Sequence, residues 1–381
     1  MLRPCRSEWT MHFANGGQEA LQILETEEMD VVVSDMRMPS INGATLLNAI
    51  RDTYPHIVRI ILSGQAEREH VLSLAGATHR YLSKPCDADV LKETVASVCS
   101  RRSILIDKNL IAIVSRLKSV PSMPSVYDQV KEAVSTEDSL QSSIGQMIKN
   151  DIGLSCKMLQ LVNSAFFGTP KRVADPQQAA IILGGDTLRD LAFAEGLVSK
   201  FPLDACEEFD LSGISAYSIS VAKMAKAIAI ADGFSEKEAT DSGTAGLLHL
   251  VGKFVFASQM PEQYRECLAM ISRGIQDIDA IERVIFGATN AQVAAYLLSL
   301  WGLPSPIVDA VAWQRCPSRC ANPVLNALVY VHVARVYADD KYRVAESSRT
   351  GICTESLDAL GVNNKLQEWN RVCAEVWGQQ S

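Results

Sequence analysis

The sequence has few aromatic residues, few histidines and no long apolar run. Aromatic residues make up 6% of the 381 residues, and histidine occurs 6 times. No apolar run reaches the roughly 18 residues of a transmembrane helix, and the first residues lack the apolar core of a signal peptide. The net charge of −8 gives no general electrostatic reason to bind nucleic acid or an anionic membrane. These absences predict a cytoplasmic protein without direct nucleic-acid or membrane partners.

The 10 cysteines are scattered and do not form a metal-binding pattern. The closest pair is Cys316 and Cys320, and no histidine or third cysteine lies near it in the sequence. A structural zinc site needs about four nitrogen or sulfur ligands. We therefore interpret the cysteines as buried or free thiols in a reducing compartment.

Residues 1–103 alternate short apolar runs with amphipathic segments, which is the pattern of an α/β domain. We predict strands at residues 9–14, 31–33, 58–62 and 79–83, because runs of this kind are typical of buried parallel strands. We predict helices at residues 17–27, 44–54 and 87–102, where apolar residues recur at helical spacing. The alternation indicates a parallel sheet with helices on its faces.

From about residue 104 onward the pattern is helical. We predict helices at residues 138–150, 154–163, 188–201, 214–232, 240–260, 263–274, 277–286 and 290–302, and one that starts at Val126 with Ser125 as its cap. The segment 322–377 is also mostly helical. The chain is therefore predicted to contain an α/β domain (1–103), an all-α domain (104–320) and a C-terminal helical extension (321–381) packed on the all-α domain.

Asp35, Ser63 and Lys84 each follow one of the last three predicted strands. The carboxyl ends of parallel strands meet at one edge of an open sheet, so these side chains are expected to lie close together. A carboxylate can act as a nucleophile toward a phosphoryl group, and an ammonium and a hydroxyl can bind the phosphoryl oxygens. The three residues predict an aspartyl-phosphate site.

The segments SDMRMPSINGATLL, ILSGQA and YLSKPCD, which carry these residues, closely resemble the receiver domain of two-component response regulators. The resemblance covers residues 1–103 and implies a flavodoxin-like α/β fold with Asp35 as the phosphoacceptor. It implies that Ser63 and Lys84 contact the phosphoryl group and that Tyr81 reorients on activation. It also implies a cis peptide bond before Pro85.

The start of the chain departs from the receiver pattern. Receivers begin with a strand that ends in an acidic pair, which holds Mg²⁺, and a first helix follows. Residues 1–6 resemble the end of that helix, so the first strand and most of the first helix are missing. The missing strand is the central one of a 2-1-3-4-5 sheet. We favour a true start upstream of Met1 over a degenerate domain. Mg²⁺ is expected as a cofactor only if the acidic pair is restored, because Asp35 alone is a poor magnesium site.

In this form of the chain, Asp35 is expected to be phosphorylated poorly or not at all. Beryllofluoride mimics the phosphoryl group on aspartate, so its titration in the presence of Mg²⁺ measures how well the site is formed. Saturable binding at Asp35 would contradict the expectation.

The all-α domain contains two histidines, His249 in GLLHLVGK and His332 in LVYVHVARVYA. Metal-dependent phosphohydrolysis needs several convergent ligands to hold the cation and generate hydroxide. A lone histidine in an apolar helix is more often a hydrogen-bonded core residue. The two histidines could join a carboxylate such as Asp241, but the spacing does not require it.

Five segments of the all-α domain resemble the HDOD domain, the HD-related output domain of bacterial signalling proteins. They read VPSMPSVYDQV, IGQMIKNDIGLSCKMLQLVNSAFFG, AAIILGGDTLRDLAFAEGL, AGLLHLVGK and LLSLWGLPSPIVDAV, and they cover most of residues 105–315. In catalytic HD phosphohydrolases an aspartate stands at the position of Leu250. Further ligands stand at the positions of Tyr217, Asn290 and Gln314-Arg315. Of the expected ligands only His249 remains, so the resemblance implies a relic HD site without catalysis and without a metal.

The predicted function is that of a response regulator whose receiver controls a non-catalytic HDOD module that acts through protein contacts. A sensor histidine kinase and an unknown downstream signalling protein are the expected partners, and the chain could form a homodimer. Two alternatives stay open. One is a metal-dependent HD-type phosphodiesterase that acts on nucleotides or cyclic dinucleotides, and the other is a sensor that binds a nucleotide without cleaving it.

Overall fold

A computed structural model describes most of the chain. It covers residues 5, 7–64, 77–102, 105, 107–135, 141–163, 172–193, 200–202, 208–273, 277–320, 324–342 and 350–379. The first domain contains α1 (Gly17–Thr26), β1 (Val31–Asp35), α2 (Gly43–Thr53), β2 (Val58–Ser63), β3 (Arg80–Ser83) and α3 (Ala88–Arg102).

The three strands form a parallel sheet in the order β1-β2-β3. Side chains from α1 and α2 cover one face of the sheet, where Leu47, Ile50 and Ile61 form a small core. The other face carries Val58 and Ile60, which belong to a larger core that continues through α3 into the helical domain. The architecture is the predicted flavodoxin-like α/β domain followed by an all-α region, and one face of its sheet packs toward the helices.

The predicted strand at residues 9–14 is wrong. These residues are described and form no ladder with any strand. In the predicted 2-1-3-4-5 order, this strand would pair with the first strand, which the described residues do not contain. Because an unpaired strand leaves its backbone polar groups without partners, the segment does not form regular β structure. β1 becomes an edge strand, and the side chain of Val33 is 36% exposed.

The helical region contains fifteen helices among the described residues. They are α4 (Lys108–Arg116), α5 (Pro124–Ser135), α6 (Gln141–Lys149), α7 (Ile152–Val162), α8 (Pro176–Phe193), α9 (Leu211–Ala231), α10 (Glu236–Leu248), α11 (Val251–Gln259), α12 (Pro261–Ser272), α13 (Ile278–Phe286), α14 (Asn290–Leu300), α15 (Ser305–Trp313), α16 (Ala327–Lys341), α17 (Thr354–Ala359) and α18 (Leu366–Gly378). Short 3-10 turns follow α15 and α17.

Three helix predictions need correction. The helix predicted to start at Val126 starts at Pro124, because proline suits the first turn of a helix, where its missing N–H is not needed. The helix predicted at 188–201 is the second half of α8, which starts at Pro176 and is interrupted at Gly184, where φ is 79°. Residues 194–199 lie outside the described part of the chain.

The helix predicted at 240–260 is two helices, α10 and α11, separated by His249 and Leu250. Both helices approach neighbouring backbone closely through glycine. A Cβ at Gly246 would lie 2.8 Å from the Ala222 Cα, and one at Gly252 would lie 2.0 Å from the Asn290 carbonyl oxygen. With the break at His249 and Leu250, Gly246 packs against Ala222 while Gly252 packs against Asn290.

α9 lies at the centre of the helical region and packs against α10, α16 and α18. Among the described residues it is the one helix whose length and apolar composition would allow it to cross a membrane, and half of that apolar window is buried in the protein. The pattern of burial is that of a core helix. The domain boundaries at 103/104 and 320/321 remain predictions.

Candidate functional site

Asp35 and Lys84 meet at the carboxyl edge of the sheet. Lys84 Nζ donates to Asp35 Oδ2 in an ion pair whose two side chains are both about 40% exposed. The Arg37 backbone N–H donates to Asp35 Oδ1 at 3.3 Å. The two residues are 49 positions apart in the sequence and are brought together because β1 and β3 flank β2 in the same parallel sheet.

Ser63 ends the central strand β2, between Asp35 and Lys84. Its Oγ donates to the Gly64 carbonyl oxygen at 3.3 Å, and its carbonyl oxygen accepts the Lys84 backbone N–H at 2.8 Å. The peptide bond between Lys84 and Pro85 is cis. The structure thus places Asp35, Ser63 and Lys84 at the ends of three adjacent strands.

Tyr81 points into the small core beneath α1 and α2 and is 7% exposed. Burial disfavours the charged phenolate and raises the pKa of Tyr81 above its ordinary value. The ring therefore occupies an inward position in this conformation.

The described residues at this edge do not fit a magnesium ion. Asp35 already binds Lys84, and no cluster of three or more His, Cys, Asp or Glu side chains that could hold a metal occurs in the described part of the chain. Mg²⁺ prefers several oxygen ligands in octahedral geometry. Asp35 alone does not provide them.

A second site lies in the helical region, where residues from five helices and their flanking turns surround a cavity of about 230 Å³, here called the relic cavity. Its lining contains four of the positions at which the HD resemblance would place ligands. The complete lining is Asp210, Gly213, Ile214, Tyr217, Leu250, Lys253, Ile278, Asn290, Gln314, Arg315, Arg335, Asp339 and Tyr342.

His249 lies against the ring of Tyr217, with the ring centroids 5.6 Å apart, and is fully buried. Its Nδ1 donates to the Gly246 carbonyl oxygen at 2.6 Å, and its own carbonyl oxygen accepts from Gln314 Nε2 at 2.7 Å. Burial lowers the pKa of His249 to about 3, because the charged imidazolium would lose its hydration. His249 is therefore neutral and is held in the core.

His332 does not join His249 in a metal site. Its Nδ1 donates to the Gln314 carbonyl oxygen at 2.7 Å, and its Nε2 accepts the Cys353 backbone N–H at 2.9 Å. Both ring nitrogens are thus occupied. Asp241 lies on α10 about two helical turns before His249 and is not part of the cavity lining.

Tyr217, at whose position the HD resemblance would place a histidine, binds residues of α16. Its hydroxyl donates to Asp339 Oδ1 at 2.6 Å, and Arg335 Nη1 donates to Asp339 Oδ2 at 2.7 Å. Burial and the neighbouring carboxylate raise the pKa of the Tyr217 hydroxyl well above its ordinary value. The carboxylate is therefore bound by a tyrosine and an arginine on one wall of the cavity.

Asn290 begins α14 and is bound to a buried carboxylate. Its backbone N–H donates to Glu282 Oε2 at 2.6 Å, and its Nδ2 donates to both carboxylate oxygens at 3.1 Å. Arg315 pairs with Asp279 at 2.9 Å on the same side of the cavity. Arg315 and the Asn290 amide, at positions where the HD resemblance would place metal ligands, are thus bound to carboxylates of the protein.

Sequence reasoning missed Lys253, Arg335 and Asp339 as lining residues. The i,i+4 spacing of Arg335 and Asp339 suggests a helix-surface ion pair, and only the fold shows that the pair faces Tyr217, over 110 positions earlier in the chain. The sequence signal for Lys253 was its place in GLLHLVGK, four residues after His249.

Replacing Leu250 by aspartate restores the His-Asp pair of the HD pattern but is expected not to create a metal site. The buried, neutral His249 and the cationic lining leave the new carboxylate without partner ligands. Metal analysis of the purified Leu250→Asp variant, with the wild type as the control, measures this. Stoichiometric Fe, Mn or Zn in the variant would show that other ligands had been overlooked.

These features define an α/β phosphoacceptor-type domain joined to a helical HD-like domain. The model of the HDOD domain family matches residues 120–317, and that of the response regulator receiver domain matches residues 2–96. The chain belongs to the HDOD domain family and carries a response regulator receiver domain in front of its HDOD domain.

Curated relatives match either the receiver or about half of the chain. The chemotaxis protein CheY of Pseudomonas aeruginosa is 32% identical over 91 residues, which are 23% of this chain and 73% of that protein. An uncharacterized protein of Treponema pallidum is 27% identical over 203 residues, 53% of this chain and 39% of that protein. The sensor kinase CckA of Brucella abortus is 40% identical over 97 residues, 25% of this chain and 10% of that protein. The chain thus spans well under half the length of the last two relatives.

Among solved structures, the MmoQ response regulator of Methylococcus capsulatus aligns with a TM-score of 0.50 and 24% identity. The alignment covers 66% of this chain and 98% of that one. At this level of identity the likeness concerns the fold alone.

Proposed function

We propose that this chain is a signal-transduction response regulator whose receiver controls a non-catalytic HDOD module, which acts through protein contacts. The observation that carries the proposal is a direct link between the two domains. Arg80 Nη2, on β3 of the receiver, donates to the Ser299 carbonyl oxygen in the last turn of α14 at 2.5 Å. The first residue of the same helix, Asn290, lines the relic cavity.

The fit of Arg80 depends on the turn after α14. Gly302 has φ of 90°, and a Cβ there would lie 2.6 Å from Arg80 Nη1. A guanidinium at the carboxyl end of a helix also interacts favourably with the helix dipole. The Arg80 guanidinium therefore packs closely against the carboxyl end of α14.

A second buried contact joins the receiver to α4. Arg59 Nη2 and His79 Nε2 both donate to the Ser115 carbonyl oxygen, at 2.7 and 2.9 Å. Burial lowers the pKa of His79 well below its ordinary value, so the ring is neutral. β2 and β3 thus hold both α4 and α14.

The proposed mechanism uses β3 as the common element. Lys84, which binds Asp35, follows the last residue of β3, and Arg80 is its first residue. In a complete receiver, phosphate on Asp35 would draw Lys84 and Ser63 toward it and repack the region around Tyr81. A local change of charge that shifts the equilibrium between two conformations of a packed strand or helix is an established switching mechanism. The shift of β3 would then reach α14 through Arg80.

The non-catalytic assignment rests on the composition of the relic cavity. Lys253, Arg315 and Arg335 place positive charge where an HD enzyme would hold cations. Arginine and lysine are poor neighbours for a metal ion. The competing assignment is a metal-dependent phosphodiesterase. Near-stoichiometric metal in the purified protein, with nucleotide hydrolysis that is lost in His249→Ala, would establish that alternative.

The partners in this proposal are a sensor histidine kinase upstream and a signalling protein downstream, with cytoplasmic localisation. The receiver match and the relation to the CckA sensor kinase support the upstream partner. A homodimer is compatible with the proposal, and neither nucleic acid nor membrane is required by it.

Hydrogen–deuterium exchange of the full chain tests the domain coupling. Asp35→Asn weakens the ion pair with Lys84 and is expected to change the exchange of α14 amides. Arg80→Met is expected to abolish that response. Glu25→Gln, a substitution of an exposed receiver side chain on α1, is the matched control.

The proposal would be wrong if α14 exchanged identically in wild type and Asp35→Asn. It would also be wrong if the response persisted in the Asp35→Asn/Arg80→Met double variant. Thermal unfolding of Arg80→Met establishes that the variant is folded before its exchange is interpreted.

A further inference from the structure

Lys253 lines the relic cavity, and its side-chain ammonium makes no hydrogen bond or ion pair among the described residues. It lies on α11, four residues after His249, and its side chain is half-buried. A charged ammonium removed from bulk water costs free energy unless a partner replaces its hydration. The charge of the buried Glu282 acts favourably on Lys253, but no carboxylate among the described residues lies within ion-pair distance of its ammonium, which faces the cavity.

Two other cations, Arg315 and Arg335, line the same cavity. Burial lowers the pKa values of both Lys253 and Arg335, and the positive charge of Arg315 lowers both further, so Arg315 repels each of the other two cations. Each arginine forms an ion pair, with Asp279 or Asp339, whereas Lys253 forms none among the described residues and interacts with Glu282 only at longer range. An anion in the cavity would reduce the repulsion that Arg315 exerts and give the Lys253 ammonium a direct partner.

The lining also contains buried polar atoms without partners. The Nδ2 atom of Asn290 is used by Glu282 and the Nε2 atom of Gln314 by the His249 carbonyl, which fixes both amide orientations. Asn290 Oδ1 and Gln314 Oε1 are then left without donors, and both residues are over 95% buried. Unsatisfied buried acceptors are rare and call for an explanation. A ligand that carries N–H or O–H groups would satisfy them after a small side-chain adjustment.

The rest of the lining suits an organic group. Leu250, Ile214 and Ile278 provide apolar surface, and the rings of Tyr217 and Tyr342 pack edge to face with centroids 5.3 Å apart. The volume of about 230 Å³ is larger than a few waters need, at about 30 Å³ each, and lies below the usual range for large ligands. The size favours a compact molecule over a cyclic dinucleotide.

We propose that the relic cavity binds a small phosphate monoester of about mononucleotide size, with Lys253 as the main contact of its phosphate. A phosphate monoester carries a charge of about −1.5 to −2 at neutral pH, which suits a lining with Lys253, Arg315 and Arg335 better than a single carboxylate does. The contact between the Lys253 ammonium and the phosphate would be a charge-assisted hydrogen bond, which needs no metal. This inference rests on the proposed function, because it assigns the non-catalytic domain a ligand that it binds without hydrolysis.

Calorimetry on the EDTA-treated full chain tests the proposal with three probes: AMP, GMP and inorganic phosphate. At least one of these is expected to bind with one site per chain, and adenosine, which lacks the phosphate, is expected to bind at least about tenfold more weakly than AMP. Lys253→Gln is expected to reduce the affinity for the bound probe at least about tenfold. The variant should fold, because the Lys253 ammonium makes no hydrogen bond or ion pair among the described residues that the substitution would remove.

Lys108→Gln, at a lysine that is 87% exposed and outside the cavity, is the matched control and should bind like the wild type. The proposal is overturned if none of the three probes binds at millimolar concentration, or if Lys253→Gln binds as tightly as wild type. Binding that requires added Mn²⁺ or Fe²⁺ would also overturn it, since it would indicate a metal centre. None of these results bears on the exchange of α14, so failure here and failure of the domain coupling are distinguishable.

Discussion

Lowering the pH from about 7.5 to about 5 is expected to decrease the free energy of unfolding of the wild-type protein. The decrease is expected to be about 2 kcal/mol larger than that of a His249→Gln variant. The reason is that the fold holds His249 in its neutral form, with a pKa of about 3. In the unfolded chain the same imidazole has a pKa near about 6.5. At pH 5 the unfolded chain therefore binds a proton that the folded chain excludes.

The sign follows from this difference in proton binding. A folded pKa below the unfolded value favours the folded state fully above about pH 6.5, and the stability is lost progressively as the pH falls toward 3. Each pH unit in this window contributes about 1.4 kcal/mol for one histidine. His332, with its pKa lowered to about 4, acts in the same direction.

Buried carboxyls act in the opposite direction. Burial raises the pKa of Asp241 to about 6 and also raises that of Glu282, so these groups favour the folded state as the pH falls. The comparison with His249→Gln removes their contribution, because both proteins contain them. Urea unfolding at several pH values measures the difference. Parallel stability curves for the two proteins would show that His249 is accessible to protons in the folded state.

The sequence was sufficient to predict the order of the receiver elements from α1 to α3. The length and apolar pattern of runs such as residues 58–62 predict strands from the local sequence alone. These runs form a sheet because each has a neighbouring strand to pair with. The prediction at residues 9–14 failed because a strand also needs a pairing partner, and the local pattern does not reveal whether one is present. A strand-like sequence without a neighbouring strand remains irregular.

The relic cavity was only partly predictable. Tyr217, Leu250 and Asn290 follow from the resemblance to the HD pattern, because their positions are defined relative to its motifs. Lys253 and Arg335 do not, because their roles depend on which face of α11 and α16 turns toward the cavity. The break between α10 and α11 was also missed, because Gly246 and Gly252 owe their places to contacts with Ala222 and Asn290, which are distant in sequence.

Replacing Arg59 by methionine is expected to lower the unfolding free energy by about 3 kcal/mol. Arg59 is 1% exposed and lies in the apolar run of β2, so the sequence alone suggests no special role for it. Its guanidinium donates to the carbonyl oxygens of Ala77 at 2.6 Å, Pro55 at 3.1 Å and Ser115 at 2.7 Å. Methionine fills a similar volume but donates no hydrogen bond, so these buried acceptors lose a partner.

Arg371→Met, at an arginine whose side chain is 71% exposed, is the matched control and is expected to change stability by less than about 0.5 kcal/mol. Urea denaturation monitored by circular dichroism measures both variants. A loss below about 1 kcal/mol for Arg59→Met would mean that water or side-chain movement replaces the guanidinium. Because Arg59 also joins β2 to α4 through Ser115, the same variant should exchange the α4 amides faster. Stability loss without faster exchange in α4 would place the effect within the receiver alone.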